Sequence, residues 1–390
     1  GGYKMTQHTT TVQYKDKTIT LIGTAHVSNL SAIEVEDTIK ELKPDTICIE
    51  LDPERYENMK NPKKWEESDI VQIIKEHKEG YMLVNILLAA YQKRIANSMN
   101  SKTGNEMSVA IKEANESNAN LVMIDRDVQT TFKRIFRKHS FFQKIGLLAS
   151  VISSLFDEEE VTEEELEKLK ESETLEAALQ DVTKDFPIVA EVLIDERNRI
   201  LAHNIQKAPG KNIVAVVGAA HIPGILQYIQ KEDNIDELMT IPPKSLSSKI
   251  ISWAIPVAII SLIILMFFRN PNTGINQFYS WILWNGSLSA IGTLIAGGHP
   301  LSILTAFIAA PITSLNPLLA AGWFAGLVEA MVRKPKVKDA ENLAEDCATL
   351  KGFLKNGITR ILLIVILANV FSTIGTFIGG LDIIKNFFNM

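Results

Sequence analysis

The sequence predicts an α/β domain with a parallel-type sheet, followed by an all-α transmembrane domain, and three observations support this division. Two apolar, β-branched segments, residues 18–22 and 213–217, each end in Gly-x-x-His and then enter a helix-like stretch. Between them, apolar runs alternate with Lys- and Glu-rich helical stretches, a pattern typical of α/β folds. From residue 250 to residue 332 the only formally charged side chains are Arg269 and Glu329, as expected for helices that span a bilayer.

The first half of the sheet follows from a β-α-β pattern near the N-terminus. The first strand ends in glycine and presents His26 at its carboxyl edge. Residues 30–42 have the apolar periodicity of a helix, and residues 46–51 form an apolar run typical of a buried parallel strand. Glu50 lies near the carboxyl end of this strand, and Arg55 lies just past it.

The second half of the sheet comes from two later helix–strand pairs. A helix over residues 105–119 leads into a short strand over residues 120–124, which ends in Asp125-Arg126-Asp127. A helix and a strand between residues 191 and 217 lead into the second Gly-x-x-His. Because the carboxyl ends of parallel strands meet at one edge of a sheet, the side chains at these ends should converge there. They are His26, Glu50, Asp125, Arg126 and His221.

A helical insertion at about residues 130–180 interrupts this pattern. Its first part, residues 130–156, begins basic and aromatic, continues mostly apolar, and is too short to span a bilayer. It could lie on an anionic membrane surface, cover the site as a lid, form a dimer contact or pack internally. Residues 157–173 are strongly acidic and predict a solvated helical face.

Charge and hydropathy divide the chain into a soluble domain, residues 5–240, and a transmembrane domain, residues 249–390. The predicted spans are residues 250–268, 278–296, 301–332 and 358–379. Prolines interrupt the third stretch, which is either one broken span or a hairpin of two short spans. The basic loop that follows it favours the hairpin. The count is therefore five spans, with four as the alternative.

The same charge distribution predicts a multi-pass protein of the cell membrane whose soluble domain is cytoplasmic. Basic residues 333–338 begin a polar loop, residues 333–357, which lies on the cytoplasmic side if five spans are present. The formal net charge of −6 gives no sign of nucleic-acid binding.

Small and polar residues in the predicted spans indicate close helix packing. Pairs of glycines four residues apart occur at residues 322–326 and 375–379, and Asn285, Asn316 and Asn369 lie at membrane depth. Such residues let helices approach closely and form hydrogen bonds with one another. They favour either tight packing within the chain or self-association, and we expect a homodimer.

Two histidines, a strand-end glutamate and nearby arginines are the residue types that metal-assisted hydrolysis uses. Neutral imidazoles and carboxylates hold divalent ions, which lower the pKa of bound water and polarise a carbonyl. A second carboxylate can act as general base, and an arginine can hold a substrate carboxylate or a developing oxyanion. The candidate metal ligands are His26, Glu50, Glu106, Asp125 and His221, and the candidate catalytic residues are His26, Glu50, Arg55, Arg126 and His221. The sequence contains no His-Glu-x-x-His, Walker or Gly-x-Ser-x-Gly motif.

Six motifs of the hydrophilic half, taken together, point to a known family. They are Gly23-Thr24-Ala25-His26, Glu50-Leu51-Asp52 with Arg55, Gly104-x-Glu106-Met107, Asp125-Arg126-Asp127, Asp195-Glu196-Arg197-Asn198 and Gly218-Ala219-Ala220-His221. This set resembles that of the TraB/PrgY (pheromone shutdown) family, and the helical tail resembles that of its prokaryotic, archaeal, membrane-bound members. The family is linked to the Tiki metalloproteases, which share the paired Gly-x-x-His motifs and a required glutamate, and more distantly to erythromycin esterases and a haem-binding group.

The resemblance implies a Tiki-like fold and a membrane-anchored peptidase that depends on Mn²⁺, Co²⁺ or Zn²⁺. Small peptides or membrane-proximal polypeptides are the implied substrates. His26, Glu50 and His221 match the family's essential positions, and Arg197 and Asn198 are assigned to substrate binding. The predicted cytoplasmic orientation differs from that of the extracytoplasmic Tiki proteases, so their substrate class does not transfer.

Two other functions stay open at this point. The same pocket could hold a peptide or a tetrapyrrole without turnover. The broken segment at residues 311–317 is typical of transporters and channels, whose interrupted helices line binding sites. The lack of buried charge pairs in the predicted spans counts against transport.

Overall fold

The computed structural model of the chain consists of two compact units. The first contains Gly1–Pro62 and Leu88–Pro243, and the second contains Lys63–Leu87 and Lys244–Met390. A short stretch of the hydrophilic half therefore belongs to the same unit as the C-terminal helices. The structure describes residues 4–5, 9–24, 29–60, 69–80, 82–83, 85–86, 105–140, 143–144, 146–147, 150, 180–244, 246–347 and 349–389.

A six-stranded mixed sheet forms the centre of the first unit. Its strands are β1 (Lys4–Met5), β2 (Thr9–Tyr14), β3 (Lys17–Thr24), β4 (Thr46–Ile49), β5 (Asn120–Met123) and β6 (Asn212–Gly218), in the spatial order β1-β2-β3-β6-β4-β5. The four strands from β3 to β5 in this order are parallel, whereas β1 and β2 pair antiparallel. All four predicted strands are present and are the parallel ones.

The prediction of a wholly parallel-type sheet is wrong at the N-terminal edge. Tyr14 at the end of β2 pairs with Lys17 at the start of β3, so only Lys15 and Asp16 connect these strands. A connection of two residues can join antiparallel strands, whereas parallel strands need a long crossover. Lys15 adopts a φ of 53°, as such tight hairpin turns require.

Helices cover both faces of this sheet. In chain order, the described helices of the first unit are α1 (Asn29–Leu42), α2 (Pro53–Lys60), α4 (Asn105–Ser117), α5 (Val128–Lys138), α6 (Gln180–Asp185), α7 (Pro187–Ala190), α8 (Glu196–Lys207) and α9 (Ile222–Tyr228), with a π-helical segment at Glu191–Asp195 and a 3₁₀ turn at Ala219–His221. α3 (Ile70–Lys75) falls between α2 and α4 in sequence but belongs to the second unit. Val35 of α1 and Ala110 of α4 pack on one face, and Leu201 of α8 and Ile225 of α9 pack on the other. Because both faces are covered, the central strand β6 is a continuous apolar run, buried from its second residue onward.

The described part of the predicted insertion packs inside the first unit. Phe132 and Phe136 of α5 lie against an apolar cluster that includes Val189. Of the four alternatives for this segment, internal packing is therefore the one that its described part shows. The predicted apolar continuation over residues 141–156 is described only in fragments, and the predicted acidic helix over residues 157–173 lies outside the described residues.

The second unit is helical. Its C-terminal helices are α10 (Leu246–Arg269), α11 (Pro271–Ile295), α12 (Pro300–Thr313), α13 (Ala321–Val332), α14 (Val337–Glu341), α15 (Leu343–Asp346), α16 (Leu350–Lys355) and α17 (Gly357–Phe388). The interrupted stretch forms two short helices, α12 and α13.

Two described helices, instead of the predicted four or five, are long and apolar enough to cross a bilayer. They are Lys249–Arg269 and Gly357–Phe388. α12 has 14 residues and α13 has 12. At about 1.5 Å per residue, each is shorter than a hydrocarbon core of about 30 Å. α11 has 25 residues, but glycines and polar side chains line its buried face and lower its mean hydropathy.

Many polar side chains of the second unit are buried, while many large apolar ones are exposed. Asn285, Ser289 and Thr293 of α11 are fully buried, whereas Trp253 of α10 and Phe377 of α17 are each 49% exposed. A water-soluble unit shows the opposite distribution. Exposed apolar surface of this extent marks a face that contacts lipid or protein.

The glycine pairs of the predicted spans pack within the chain. A Cβ atom on Gly322 would lie 2.0 Å from the carbonyl oxygen of Val365, and one on Gly375 would lie 2.7 Å from that of Trp284. α17 therefore packs closely on both α13 and α11. The glycine pairs that led us to expect a homodimer therefore make contacts within the chain.

A buried charge cluster joins the ends of three helices, in contrast to the expectation from sequence. Glu329 of α13 is fully buried and contacts Arg333 at 2.5 Å and Arg360 at 3.5 Å. Its Oε2 accepts hydrogen bonds from the backbone N–H of His299 at 2.7 Å and from the hydroxyl of Ser302 at 2.6 Å. The sequence did not indicate this cluster, because Arg333 and Arg360 both lie outside residues 250–332, the stretch that is almost free of charge.

A segment of the hydrophilic half docks on α13. The imidazole of His77, just after α3, stacks on the indole of Trp323, with ring centroids 3.8 Å apart. The indole N–H of Trp323 donates to Oε1 of Glu79 at 2.9 Å. Ile74 of α3 lies against Gly326, where a Cβ atom would be 3.4 Å from its Cδ1.

Candidate functional site

Glu50 is buried just after β4, and both of its carboxylate oxygens accept hydrogen bonds. Gly218, the last residue of β6, donates its backbone N–H to Oε2 at 2.6 Å. Arg197 donates from Nη2 to Oε1 at 2.7 Å. Because β4 and β6 are adjacent and parallel, Glu50 meets the second Gly-x-x-His at one edge of the sheet.

Arg197 bridges Glu50 and Asp125. Its guanidinium donates from Nε to Oδ1 of Asp125 at 3.1 Å and from Nη2 to Oδ2 at 2.8 Å. All three side chains are buried. Arg197 thus places one positive charge between two buried carboxylates and holds both in place.

His221 is fully buried in the 3₁₀ turn that follows β6. Its Nε2 lies 3.2 Å from Oε1 of Glu50, and its Nδ1 lies 2.6 Å from Oδ1 of Asn198. An amide oxygen can only accept a hydrogen bond, so Nδ1 carries the proton. In a neutral imidazole, Nε2 then keeps the lone pair with which it can bind a metal ion or accept a proton.

Three consecutive residues, Glu196, Arg197 and Asn198, supply contacts in different directions. They begin α8, directly after the π-helical segment Glu191–Asp195. Successive side chains of an α-helix point about 100° apart, so three in a row cannot face one point. Arg197 faces Glu50, Asn198 faces His221, and Glu196 faces a second cluster. π-helical turns of this kind are frequent at functional sites.

Arg126, which the sequence places among the catalytic residues, contacts this second cluster instead of Glu50. Its Nη1 donates to Oε2 of Glu196 at 2.7 Å and to the carbonyl oxygen of Leu238 at 2.7 Å. Its Nε donates to the hydroxyl of Thr131 at 3.0 Å. Asp125 and Arg126 are adjacent in the chain, yet Asp125 contacts Arg197 and Arg126 contacts Glu196.

Glu196 is the centre of the second cluster. Arg134 donates to both of its oxygens at 2.8 Å, and Lys138 donates to Oε1 at 2.8 Å. Burial raises the pKa of Glu196, but the hydrogen bonds from Arg134, Lys138 and Arg126 outweigh burial and lower the pKa to about 2. The carboxylate is therefore ionised at neutral pH.

Asp52, Arg55 and Glu106 lie at the starts of two helices. Oδ1 of Asp52 accepts from the backbone N–H groups of Glu54 at 2.9 Å and Arg55 at 3.0 Å, and thereby caps α2. Burial raises the pKa of Asp52. Arg55 is half-buried in the first turn of α2, and Glu106 is buried in the first turn of α4. The catalytic role of Arg55 and the ligand role of Glu106 stay predictions.

His26 and Gly104 lie outside the described residues, so the site can be followed on one side only. Within the part of the chain that the structure describes, no group of three His, Cys, Asp or Glu side chains is arranged to hold a metal ion. Glu50 and His221 nevertheless lie side by side. A carboxylate next to an imidazole whose Nδ1 donates to an oxygen fits a divalent ion, with His26 as the expected third ligand.

Sequence reasoning identified the strand-end residues but missed their partners. It did not identify the Gly218 N–H as a donor to Glu50, Arg197 as a bridge between carboxylates, or Asn198 as the partner of His221. A signal was present, since Glu196, Arg197 and Asn198 directly precede the apolar residues of the buried face of α8. Polar groups on such a face need partners.

Comparison with known proteins agrees with the family that the motifs indicate. Residues 9–235 match the TraB/PrgY/gumN family, and residues 247–388 match the TraB family protein, C-terminal domain. The uncharacterized protein MJ1365 of Methanocaldococcus jannaschii is 35% identical over 374 residues, which cover 92% of this chain and 93% of that protein. The TraB domain-containing proteins of Homo sapiens and Mus musculus are each 28% identical over 273 residues, which cover 62% of this chain and 71% of those proteins. The chain therefore belongs to the TraB/PrgY/gumN family.

Proposed function

We propose that this chain is a membrane-anchored, divalent-metal-dependent hydrolase that cleaves small peptides or membrane-proximal polypeptides. The observation that carries the proposal is the buried approach of His221 Nε2 to Glu50 Oε1, at 3.2 Å. Buried carboxylates and imidazoles are costly unless they are paired, and here Arg197 and Asn198 hold them in place. Groups that are oriented in advance in a water-poor site suit metal-assisted and acid–base catalysis.

In this proposal, His26, Glu50 and His221 would hold Mn²⁺, Co²⁺ or Zn²⁺, with Glu106 and Asp125 as further candidate ligands. The ion would supply a bound water of lowered pKa and would polarise a substrate carbonyl.

The arginines have separate tasks. Arg197 orients Glu50 and balances part of its charge, because both carboxylates of the site accept its hydrogen bonds. Arg55, half-buried at the start of α2, is the proposed partner of a substrate carboxylate or of the developing oxyanion. In this scheme Arg197 and Asn198 act through Glu50 and His221 rather than through contact with substrate.

We also propose that the second unit lies in the cell membrane. Two long apolar helices and the exposed apolar side chains support this. Gln277, Asn285, Ser289 and Thr293 of α11 are buried, so the middle of this helix can present an apolar surface to lipid. The basic loop that begins at residues 333–338 would lie in the cytoplasm with the first unit, in line with the positive-inside tendency.

The test uses full-length protein, purified in detergent, stripped of metal and then supplied with one ion at a time. Products from a mixed peptide library are measured by mass spectrometry. We expect cleavage with Mn²⁺, Co²⁺ or Zn²⁺, and we expect Glu50→Gln to lower turnover at least about 100-fold. Glu36→Gln, on the exposed side of α1, should retain the wild-type rate. Equal cleavage by wild type and Glu50→Gln, or no cleavage with any of the three ions, would reject the proposal.

A further inference from the structure

We infer that Asn198 and Gly224 together position His221, so that its ring donates from Nδ1 and turns Nε2 toward Oε1 of Glu50. Neither residue is a predicted metal ligand, and the family resemblance assigns Asn198 to substrate binding. The positioning follows from geometry alone, whereas its importance for catalysis rests on the proposed function.

The contact between Asn198 and His221 is short and buried. Nδ1 of His221 lies 2.6 Å from Oδ1 of Asn198, and the two residues are 0% and 6% exposed. Because the amide oxygen accepts, it holds the ring proton on Nδ1 and fixes the rotation of the ring. Histidines that bind metal ions commonly donate their other N–H to such an oxygen, which sets the tautomer and the ring orientation.

Gly224 leaves the space that the amide of Asn198 occupies. A Cβ atom on Gly224 would lie 2.0 Å from Nδ2 and 2.3 Å from Cγ of Asn198. Both distances are far below van der Waals contact. Because Cγ is too close as well as Nδ2, rotation of the amide group alone would not relieve the overlap. Any side chain at position 224 would therefore push the amide away from His221.

Rigid elements hold these three residues together. Asn198 belongs to the first turn of α8, whereas His221 immediately precedes α9 and Gly224 lies in its first turn. α8 and α9 pack on the same face of the sheet through Leu201 and Ile225. Sites supported by packed helices hold their geometry more closely than sites on loops.

This arrangement gives Asn198 a different role from substrate binding. Its oxygen is used by His221, and its nitrogen lies against Gly224. The side chain is therefore a positioning group, and Gly224 is the residue that makes this position possible.

Five variants of the full-length protein separate positioning from general support of the fold. Asn198→Ala removes the acceptor, and Asn198→Asp keeps an acceptor. Gly224→Ala displaces the amide without altering it, and the double variant carries both alanines. Gly146→Ala is the matched control, because its Cβ atom would make an ordinary contact of 3.5 Å with Phe186.

Two measurements on the metal-stripped proteins test the inference. The ¹⁵N spectrum of labelled histidine rings, assigned with His221→Gln, reports which nitrogen of His221 carries the proton. Calorimetry reports the affinity for Mn²⁺ or Zn²⁺. We expect an Nδ1–H signal in wild type, Asn198→Asp and Gly146→Ala. We expect Asn198→Ala and Gly224→Ala to lose this signal and to bind metal about 10- to 100-fold more weakly.

The double variant supplies the decisive comparison. It should be no worse than Asn198→Ala, because the added methyl group enters the space that the amide has left. An Nδ1–H signal that persists in both single variants would overturn the inference, and so would losses that add in the double variant. If wild type binds no metal while the ¹⁵N signals change as expected, the positioning stands and the proposed metal chemistry fails.

Discussion

Glu50 and Glu196 are both buried carboxylates, but their neighbours give them different tasks. Glu50 shares one guanidinium with Asp125, whereas Glu196 accepts hydrogen bonds from three cationic side chains, Arg126, Arg134 and Lys138. Among the described contacts, Glu50 also faces the imidazole of His221, whereas Glu196 is surrounded by cationic side chains. The Glu196 cluster fixes α5 and α8 together, and the contact of Glu50 with His221 belongs to the candidate site.

Replacing Glu196 by glutamine should destabilise the protein by about 3–5 kcal/mol, because it leaves buried arginines without an opposite charge. Unfolding by urea, followed by circular dichroism at neutral pH, measures this loss. The exposed variant Glu36→Gln should leave the free energy of unfolding nearly unchanged.

The same variant has a characteristic pH dependence. The pKa of Glu196 is about 2 in the folded protein and has an ordinary value of 4.5. A group with a lowered folded pKa stabilises the protein fully above its unfolded pKa, and this contribution is lost as the pH falls through the folded pKa. Wild type should therefore lose more stability than Glu196→Gln between about pH 4.5 and pH 2. Equal slopes over this window would contradict the assigned charge state.

At the scale of elements, the end of α3 and the helix α13 fix each other. α3 closes with hydrogen bonds from the N–H of Lys78 to the carbonyl of Ile73 and from the N–H of His77 to the carbonyl of Ile74. This motif usually ends in glycine, but here His77 adopts a φ of 56°. A left-handed residue other than glycine costs about 1–2 kcal/mol, and the stack of His77 on Trp323 offsets part of that cost.

Trp323→Leu should release this segment, because it removes both the ring stack and the hydrogen bond to Glu79 while keeping an apolar side chain. Trp323→Phe should have a smaller effect, since it loses the hydrogen bond only. Hydrogen–deuterium exchange of residues 69–79 in the detergent-solubilised protein measures the release. Trp253→Leu, a change at an exposed tryptophan of α10, is the control. Unchanged exchange in Trp323→Leu would mean that the stack does not hold the segment.

At the scale of the molecule, features that depend on runs of many residues could be predicted from the sequence. Features that depend on the direction in which a single side chain points could not. The two-part organisation and the four parallel strands follow from runs of many residues, so single exceptions do not hide them. β2 was missed because six residues, half of them threonine, give a weak apolar alternation in the sequence. The number of spans was overestimated because α11 carries polar side chains on its buried face.

The candidate site shows the same limit. Glu50, Asp125 and His221 could be placed at one edge because strand ends are readable from apolar runs. Arg197 and Asn198 could not be given their partners, because a π-helical segment shifts the phase of the helix that follows it. Consecutive residues then serve separate contacts, and spacing in the sequence does not show which contact each one makes.

The membership of residues 63–87 in the second unit has a consequence for fragments of the chain. This stretch lies inside the first unit in sequence, yet Ile70, Ile74, Met82 and Ile86 are each at most 6% exposed within the second unit. A fragment that ends at residue 243 would expose them, and each such side chain loses about 1.5–3 kcal/mol of burial. We therefore expect this fragment to aggregate in water, because contiguous exposed apolar surface promotes association.

The same fragment with a Gly-Ser linker in place of residues 63–87 should stay soluble and monomeric in size-exclusion chromatography with light scattering. A monodisperse fragment that still contains residues 63–87 would show that the second unit is not needed to cover them.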